Sequence, residues 1–180
     1  MIEIEADPKC EACYRRWGAA WCLRENCMTP SPQLSAFIKR WESCSLTVYL
    51  DQAGLPTIGW GHLLEPGESA APITQEEADA LFDHELLHFA DRVDDSIWVT
   101  VAQHQFDACV SMAFNCGAEA FARSTLCNYL NRGLLSAAAD QFLRWDKVRV
   151  NGVLTVSRGL HKRRVAERAM FQYADYSGRP

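Results

Sequence analysis

The chain has 180 residues, which is the length of one domain with room for a short extension. Its composition, 48% hydrophobic and 23% charged, is that of an ordinary globular protein and argues against long disordered tracts, collagen-like repeats and coiled coils. The net charge of -5 disfavours attraction to a phosphate backbone, so we expect no nucleic-acid partner.

The start of the chain carries no recognisable export signal. The sequence MIEIEADPKC is acidic and lacks the basic and apolar regions of a secretory signal. No apolar run approaches the roughly 18 residues that are needed to span a bilayer. We therefore expect a protein that is made in the cytoplasm without a signal peptide and has no transmembrane segment.

Four of the eight cysteines crowd the first part of the chain, at Cys10, Cys13, Cys22 and Cys27. Their pairwise spacing would suit a zinc ion bound by four thiolates. Disulfides formed after export and free thiols in the cytosol fit the same spacing, so all three states stay open. We predict a cysteine-rich extension over residues 1–33 and a second domain over residues 34–180.

A helix and a small hairpin are predicted to begin this second domain. The helix is expected from Pro32 to about Glu42, with Ser31 as its N-cap. Its apolar residues recur at helical spacing, at Leu34, Phe37, Ile38 and Trp41. Short β-prone runs at 46–50 and 56–60 then predict a hairpin with a turn of more than two residues.

Capping signals predict two long helices after the hairpin. Thr74 with Glu77 forms a capping box at the start of the first one. Thr100 with Gln103 repeats the signal, and the strongly apolar stripe that follows ends at Gly117.

The last third of the chain is predicted to hold short helices, a hairpin and a basic helix. The short helices are expected at about 125–132 and 137–147, and the hairpin has Asn151-Gly152 between strands at 148–150 and 153–156. The basic helix, at about 160–174, either binds an anionic polymer or lipid headgroup or is a solvated face. This layout predicts a helix-dominant α+β fold.

Two acidic residues near the first hairpin are candidates for acid/base chemistry. Glu42 follows an apolar helix face, and Asp51 lies at the hairpin turn. Cleavage of a glycosidic bond needs two carboxyl groups in such different surroundings, one protonated in an apolar environment and one ionised. Spacing alone does not separate this interpretation from a solvated surface pair.

The residues around this pair are more specific. Trp41-Glu42, Asp51 and the run Thr57-Ile58-Gly59-Trp60-Gly61-His62-Leu63-Leu64 resemble the active-site segment of the phage lysozyme family, glycoside hydrolase family 24, which includes the endolysins. Gln105-Phe106-Asp107-Ala108, Ala113-Phe114-Asn115 and Ser124-Thr125-Leu126 resemble its central helix and the helix after it. Gly159-Leu160, Arg163-Arg164 and Glu167-Arg168 complete a similarity that covers about residues 34–175.

The resemblance implies hydrolysis of the β-1,4 bond between N-acetylmuramic acid and N-acetylglucosamine in bacterial peptidoglycan. Glu42 would be the general acid, and Asp51 and Thr57 would hold the attacking water on the opposite face of the sugar, which is an inverting arrangement. No cofactor is required. A two-lobed fold is implied, with a small sheet, a long connecting helix and a C-terminal helical bundle.

The resemblance also implies supporting roles around these three residues. Leu63, Phe114 and Asn115 would contact the sugar chain. His62 would pair with Glu85 and tie the hairpin to the long helix. Either Arg163 or Arg164 would reach Glu42, and the sequence does not distinguish the two.

Two other functions compete with the hydrolase. A lytic transglycosylase would use Glu42 alone, and a non-catalytic peptidoglycan-binding module would need none of the three residues; the presence of Asp51 and Thr57 disfavours both. For the hydrolase we expect a monomer that acts on the cell wall from the periplasm, after delivery by a holin or a secretion system.

Overall fold

The computed structural model describes residues 27–51, 54–150 and 152–179, so Cys10, Cys13 and Cys22, and with them most of the predicted extension, lie outside the described residues. The described helices are α1 (Pro32–Lys39), α2 (Gln75–Ser96), α3 (Gln103–Cys116), α4 (Ala118–Ala122), α5 (Thr125–Asn131), α6 (Leu135–Gln141) and α7 (Arg158–Tyr173), with a 3-10 turn at Phe142–Arg144. The strands are β1 (Ser45–Leu50), β2 (Pro56–Gly59), β3 (His62–Leu63), β4 (Lys147–Val150) and β5 (Val153–Val156). In these ranges no helix combines the length and apolar character that a membrane span requires.

Helix α3 forms the centre of the molecule. Every residue from Phe106 to Ala113 is buried, because α2, α4 and α7 pack around this helix and α1 touches it. A helix that is buried on all sides must be apolar nearly all round, and the stripe that ends at Gly117 meets this requirement. Gly117 ends α3 with a φ of 93°, a backbone conformation that favours glycine.

The small sheet packs against α2 and places its middle strand over the long helix. Its order is β1-β2-β3, and both pairs are antiparallel. Thr57 on β2 lies opposite Tyr49 on β1 and Leu63 on β3. The predicted hairpin is therefore correct, and the third strand was missed because two residues are too short to show an alternating pattern.

The predicted end of the first helix and the predicted start of α3 are wrong. Helix α1 ends at Lys39, because the next turn tightens and Trp41 N–H bonds to Ile38 O at 2.8 Å, so Glu42 lies in a bend after the helix. Helix α3 is capped by Ala102, whose N–H donates to the Gln105 side chain at 3.0 Å; Thr100 with Gln103 forms no cap.

Other predicted elements are confirmed. Thr74 and Glu77 form the expected capping box of α2, and β4 and β5 pair antiparallel, with Val150 opposite Val153. The basic helix is α7, but the expectation of a solvated or ligand-binding basic face fails for Arg163 and Arg164, since both side chains are buried. The helix predicted at 137–147 is wrong in extent, because α6 ends at Gln141, a 3-10 turn follows at Phe142–Arg144 and Lys147 already belongs to β4. The short helix α4 was not predicted.

Candidate active site

Glu42 lies in the bend between α1 and β1 and is partnered by an arginine. Arg163 Nη1 donates to Glu42 Oε1 at 2.5 Å, and the Glu42 side chain is 25% exposed. Arg163 is therefore the arginine that reaches the acid. The carboxyl group of Glu42 thus follows the apolar face of α1 and shares its site with a guanidinium.

Asp51 directly follows β1 and is hydrogen-bonded to Leu55, the residue before β2. Its Oδ1 accepts from the Leu55 N–H at 2.8 Å, and its own N–H donates to Leu55 O at 3.0 Å. An aspartate that binds the backbone a few residues ahead is typical of a tight turn. The turn fixes where the carboxylate lies relative to β2.

Thr57 is buried at the centre of the sheet, with 2% of its surface exposed. Its Oγ1 donates to Leu55 O at 3.1 Å. The backbone of Leu55 therefore contacts both Asp51 and Thr57, which are six positions apart in the sequence. A hydroxyl that donates its proton in this way keeps lone pairs with which it can accept a hydrogen bond.

A buried cluster behind Glu42 joins α3 and α7. Arg163 Nε donates to Glu167 Oε1 at 3.1 Å, and Ser111 Oγ donates to the same oxygen at 2.8 Å. Arg164 Nη2 donates to Asn115 Oδ1 at 2.7 Å. Sequence reasoning gave no role to Ser111 or Glu167, although Glu167 belongs to the motif after the arginine pair.

The three predicted sugar contacts differ in exposure. Leu63 is 47% exposed and lies opposite Thr57 on the neighbouring strand. Asn115 is exposed at the end of α3 and is held by Arg164. Phe114 is half-buried and packs on the rings of Phe82 and Phe89 at centroid distances of 5.3 and 5.2 Å, so much of its surface is used within the fold.

The family model described as phage lysozyme matches residues 39–167, which include the bend of Glu42, the sheet, α3 and the arginine pair of α7. The chain belongs to the phage lysozyme family. It is 41% identical over 139 residues to an endolysin of Acyrthosiphon pisum secondary endosymbiont phage 1, a match that covers 76% of this chain and 93% of the relative.

Solved structures agree with this assignment. An endolysin from Escherichia coli O157:H7 phage FAHEc1 superposes with a TM-score of 0.77 and 32% identity, over 84% of this chain and 98% of that one. The muramidase domain of SpmX from Asticaccaulis excentricus gives a TM-score of 0.74 and 32% identity, over 80% and 97%. This phage lysozyme is thus a glycoside hydrolase of the cell wall, with the helix-rich lysozyme fold, and its family needs no cofactor for catalysis.

A histidine on β3 contacts one glutamate on α2 and another in the loop between β3 and α2. His62 Nδ1 lies 2.6 Å from Glu85 Oε1, the contact that the resemblance implied, and His62 Nε2 lies 3.1 Å from Glu68 Oε2. Burial lowers the pKa of His62, but the hydrogen bonds to Glu85 and Glu68 outweigh it, so the pKa is raised above its ordinary value. Glu68, which the sequence analysis missed, lies six residues after His62 in the loop.

Proposed function

We propose that this chain hydrolyses the β-1,4 bond between N-acetylmuramic acid and N-acetylglucosamine with inversion at the sugar carbon. Glu42 acts as general acid, and Asp51 and Thr57 hold the attacking water. The observation that carries the proposal is the shared backbone contact of Asp51 and Thr57 at Leu55, while Glu42 is held separately by Arg163. Because the two carboxyl groups have different hydrogen-bond partners, one can act as the general acid and the other as the general base.

Glu42 delivers a proton to the oxygen of the bond that breaks. Arg163 occupies Oε1, so the proton leaves from Oε2. As the bond between the sugar carbon and the leaving oxygen breaks, that oxygen takes up the proton and Glu42 becomes a carboxylate. Solvent returns the proton before the next cycle.

Asp51 and Thr57 orient the water that attacks from the other face. Thr57 Oγ1 gives its own proton to Leu55 O, so it accepts one hydrogen of the water. The Asp51 carboxylate accepts the other hydrogen and removes it as the new bond forms. With both hydrogens engaged, the water presents a lone pair to the sugar carbon.

The sugar chain lies along Leu63, Phe114 and Asn115 in this proposal. Arg164 occupies the Asn115 carbonyl oxygen, so the amide NH2 remains as the group that donates to a sugar oxygen. Leu63 and Phe114 supply an apolar surface beside it. The enzyme acts as a monomer, since all of these residues come from one chain. It is made in the cytoplasm and acts on the cell wall after release.

The products of purified peptidoglycan distinguish the candidate functions. Mass analysis should find reducing N-acetylmuramic acid ends, and NMR at early times should show the α-anomer first, as inversion requires. Anhydro ends would identify a transglycosylase, and no release would identify a binding module. The β-anomer first would rule out the inverting arrangement.

Replacement of Glu42 tests the general acid directly. Glu42→Gln keeps the hydrogen bond from Arg163 but has no proton to deliver, so turnover should fall by roughly 100- to 10,000-fold. Glu76→Gln, which changes an exposed glutamate in the first turn of α2, is the matched control and should retain wild-type turnover. A folded Glu42→Gln protein within about threefold of wild type would contradict the assignment.

A further inference from the structure

A fully buried carboxylate lies behind the candidate active site. Glu167 on α7 and Ser111 on α3 both have 0% of their surface exposed. Ser111 Oγ donates to Glu167 Oε1 at 2.8 Å. Burial of a carboxylate is costly unless it is paired and hydrogen-bonded, so the identity of its partners matters.

The other partners of Glu167 are the two arginines that face the candidate active site. Arg163 and Arg164 precede Glu167 by four and three residues, so they lie on the same side of the helix as the carboxylate. Arg163 Nε is 3.1 Å from Oε1, and Arg164 Nε is 3.1 Å from Oε2. One carboxylate thus accepts a hydrogen bond from Arg163 and forms an ion pair with Arg164, although Arg164 Nε and Glu167 Oε2 are not aligned for a hydrogen bond.

Each guanidinium contacts Glu167 at one end and the candidate active site at the other. Arg163 extends to Glu42, and Arg164 extends to Asn115. A guanidinium is a rigid planar group, so a contact that fixes its Nε restricts where its terminal nitrogens point. The direction of the hydrogen bond from Arg163 to Glu42 therefore depends on Glu167.

Glu167 also compensates two like charges that are buried side by side. The side chains of Arg163 and Arg164 are only 4% and 0% exposed. Burial lowers the pKa of Arg164, the charge of Glu167 raises it, and the charge of Arg163 lowers it. Without Glu167 the two cations would repel each other in a poorly solvated place, and Arg163 would not keep its present position.

We propose that Glu167 is a positioning residue for hydrolysis of the glycosidic bond, which acts through Arg163 to hold the Glu42 carboxyl group and is itself fixed by Ser111. The inference rests on the proposed role of Glu42 as general acid. Glu167 is fully buried and so cannot touch the sugar, and its effect on Glu42 passes through Arg163. A displacement of about 1 Å at a reacting group can lower the rate roughly 100-fold, so a residue that holds Glu42 in position should raise kcat.

Glu167→Gln tests the proposal with little change of shape. The amide oxygen can replace one carboxylate oxygen, but the NH2 group then faces a guanidinium and cannot accept from it. On purified peptidoglycan we expect kcat to fall about 30-fold while KM stays within about threefold, at equal concentrations of folded protein. This split separates positioning of the acid from a loss of substrate binding.

The matched control is an ion pair between α7 and α6. Arg168 Nη2 contacts Asp140 Oδ1 at 2.6 Å, and the Asp140 side chain is 62% exposed. Asp140→Asn removes a charge next to α7 without touching the buried cluster. Its kcat should stay within about twofold of wild type, since exposed ion pairs contribute little.

A double variant shows whether Glu167 acts through Arg163. Arg163→Met removes the link to Glu42 and should itself lower kcat. Addition of Glu167→Gln to that variant should lower kcat less than about twofold further, because residues that act in one chain of contacts are not additive. Losses that multiply would show that Glu167 does not act through Arg163 and would overturn the proposal.

Other outcomes also decide the inference. Wild-type kcat in folded Glu167→Gln overturns it, and so does a rise in KM with unchanged kcat, which would assign Glu167 to sugar binding through Arg164. If Glu167→Gln does not fold, Ser111→Ala removes one hydrogen bond and should lower kcat about three- to tenfold; unchanged kcat there overturns the proposal. Retained lysis in Glu42→Gln would instead overturn the proposed function.

Discussion

At the scale of single residues, Leu55 links the two groups that are proposed to hold the water. Its N–H binds Asp51 Oδ1 and its carbonyl oxygen binds Thr57 Oγ1. Because both hydrogen bonds are made by the backbone of Leu55, they do not depend on which side chain residue 55 carries. The relative position of Asp51 and Thr57 is therefore set by the turn and the strand, and is insensitive to Leu55 itself, whose side chain is 48% exposed.

Substitution of Asp51 and Thr57 should lower turnover more than substrate binding. Both are assigned to the water, so Asp51→Asn should reduce kcat by roughly 100-fold or more, and Thr57→Ala by about tenfold, the value of one hydrogen bond. Steady-state kinetics on peptidoglycan measures both.

Two variants serve as controls. Thr57→Ser keeps the hydroxyl and should retain most of the wild-type kcat. Thr47→Ala changes an exposed threonine on the neighbouring strand β1 and should retain the full wild-type kcat. Full activity in Asp51→Asn would mean that Glu42 works without a positioned base.

The residues of the candidate site differ in how well the sequence reveals them. Glu42, Asp51 and Thr57 lie close together along the chain, so their spacing is itself a pattern. Arg163 and Arg164 are adjacent on a helix and project about 100° apart, so the sequence cannot say which one faces Glu42. The contact between Ser111 and Glu167 joins residues 56 positions apart, and only tertiary packing brings them together.

At the scale of elements, His62 joins the sheet to α2 by a contact that depends on protonation. The pKa of His62 is raised in the folded protein, so the protonated histidine binds its glutamates more strongly than the neutral one. A group with a raised pKa contributes stability that is fully present below its ordinary value of 6.5 and is lost as the pH rises through the raised value. The contact between His62 and its glutamates therefore stabilises the fold most in mild acid, and its contribution decreases toward alkaline pH.

Removal of the Glu85 charge should flatten this pH dependence. Glu85→Gln should lower the free energy of unfolding by about 1 kcal/mol at pH 5.5, because a charged hydrogen bond is lost at a partly solvated place, and by less at pH 8.5. Urea unfolding at the two pH values measures the difference. His84→Gln, an exposed histidine beside Glu85, is the control and should leave the pH dependence as in wild type. An equal loss at both pH values would show that the histidine is not the titrating group.

The helices show where local sequence patterns are sufficient. Thr74 and Glu77 are correctly predicted because a capping box is complete within four residues. Helix α3 begins at Gln103 with Ala102, not Thr100, as its N-cap. An alanine has no side-chain acceptor, so only Gln105 signals this cap in the sequence. A search for serine or threonine caps therefore misplaces this helix start, although the Gly117 stop is found.

At the scale of the whole molecule, Asp107 on α3 joins the two ends of the described chain. Its Oδ1 accepts from the Ser31 N–H at 3.1 Å and its Oδ2 accepts from the Tyr176 hydroxyl at 2.6 Å. Burial, and then the hydrogen bond to Asp107, raise the pKa of Tyr176, so this hydroxyl remains a donor well into alkaline pH. Arg40 adds contacts to the carbonyl oxygens of Tyr176 and Ser177. The segment after α7 is thereby fixed to the start of α1 through Asp107 and to the end of α1 through Arg40.

Loss of this junction should affect stability and leave catalysis unchanged. Tyr176→Phe removes the donor and leaves Asp107 Oδ2 short of a partner inside the protein, which should lower the free energy of unfolding by about 2 kcal/mol. Tyr173→Phe, at a residue that is 76% exposed, removes the same atom from the surface and should cost less than about 0.5 kcal/mol. Urea unfolding of both variants gives the comparison, and kcat on peptidoglycan should stay at wild type below the unfolding transition, because none of these residues belongs to the cluster around Glu42. Equal stability of the two variants would show that the hydrogen bond to Asp107 does not hold the end of the chain in place.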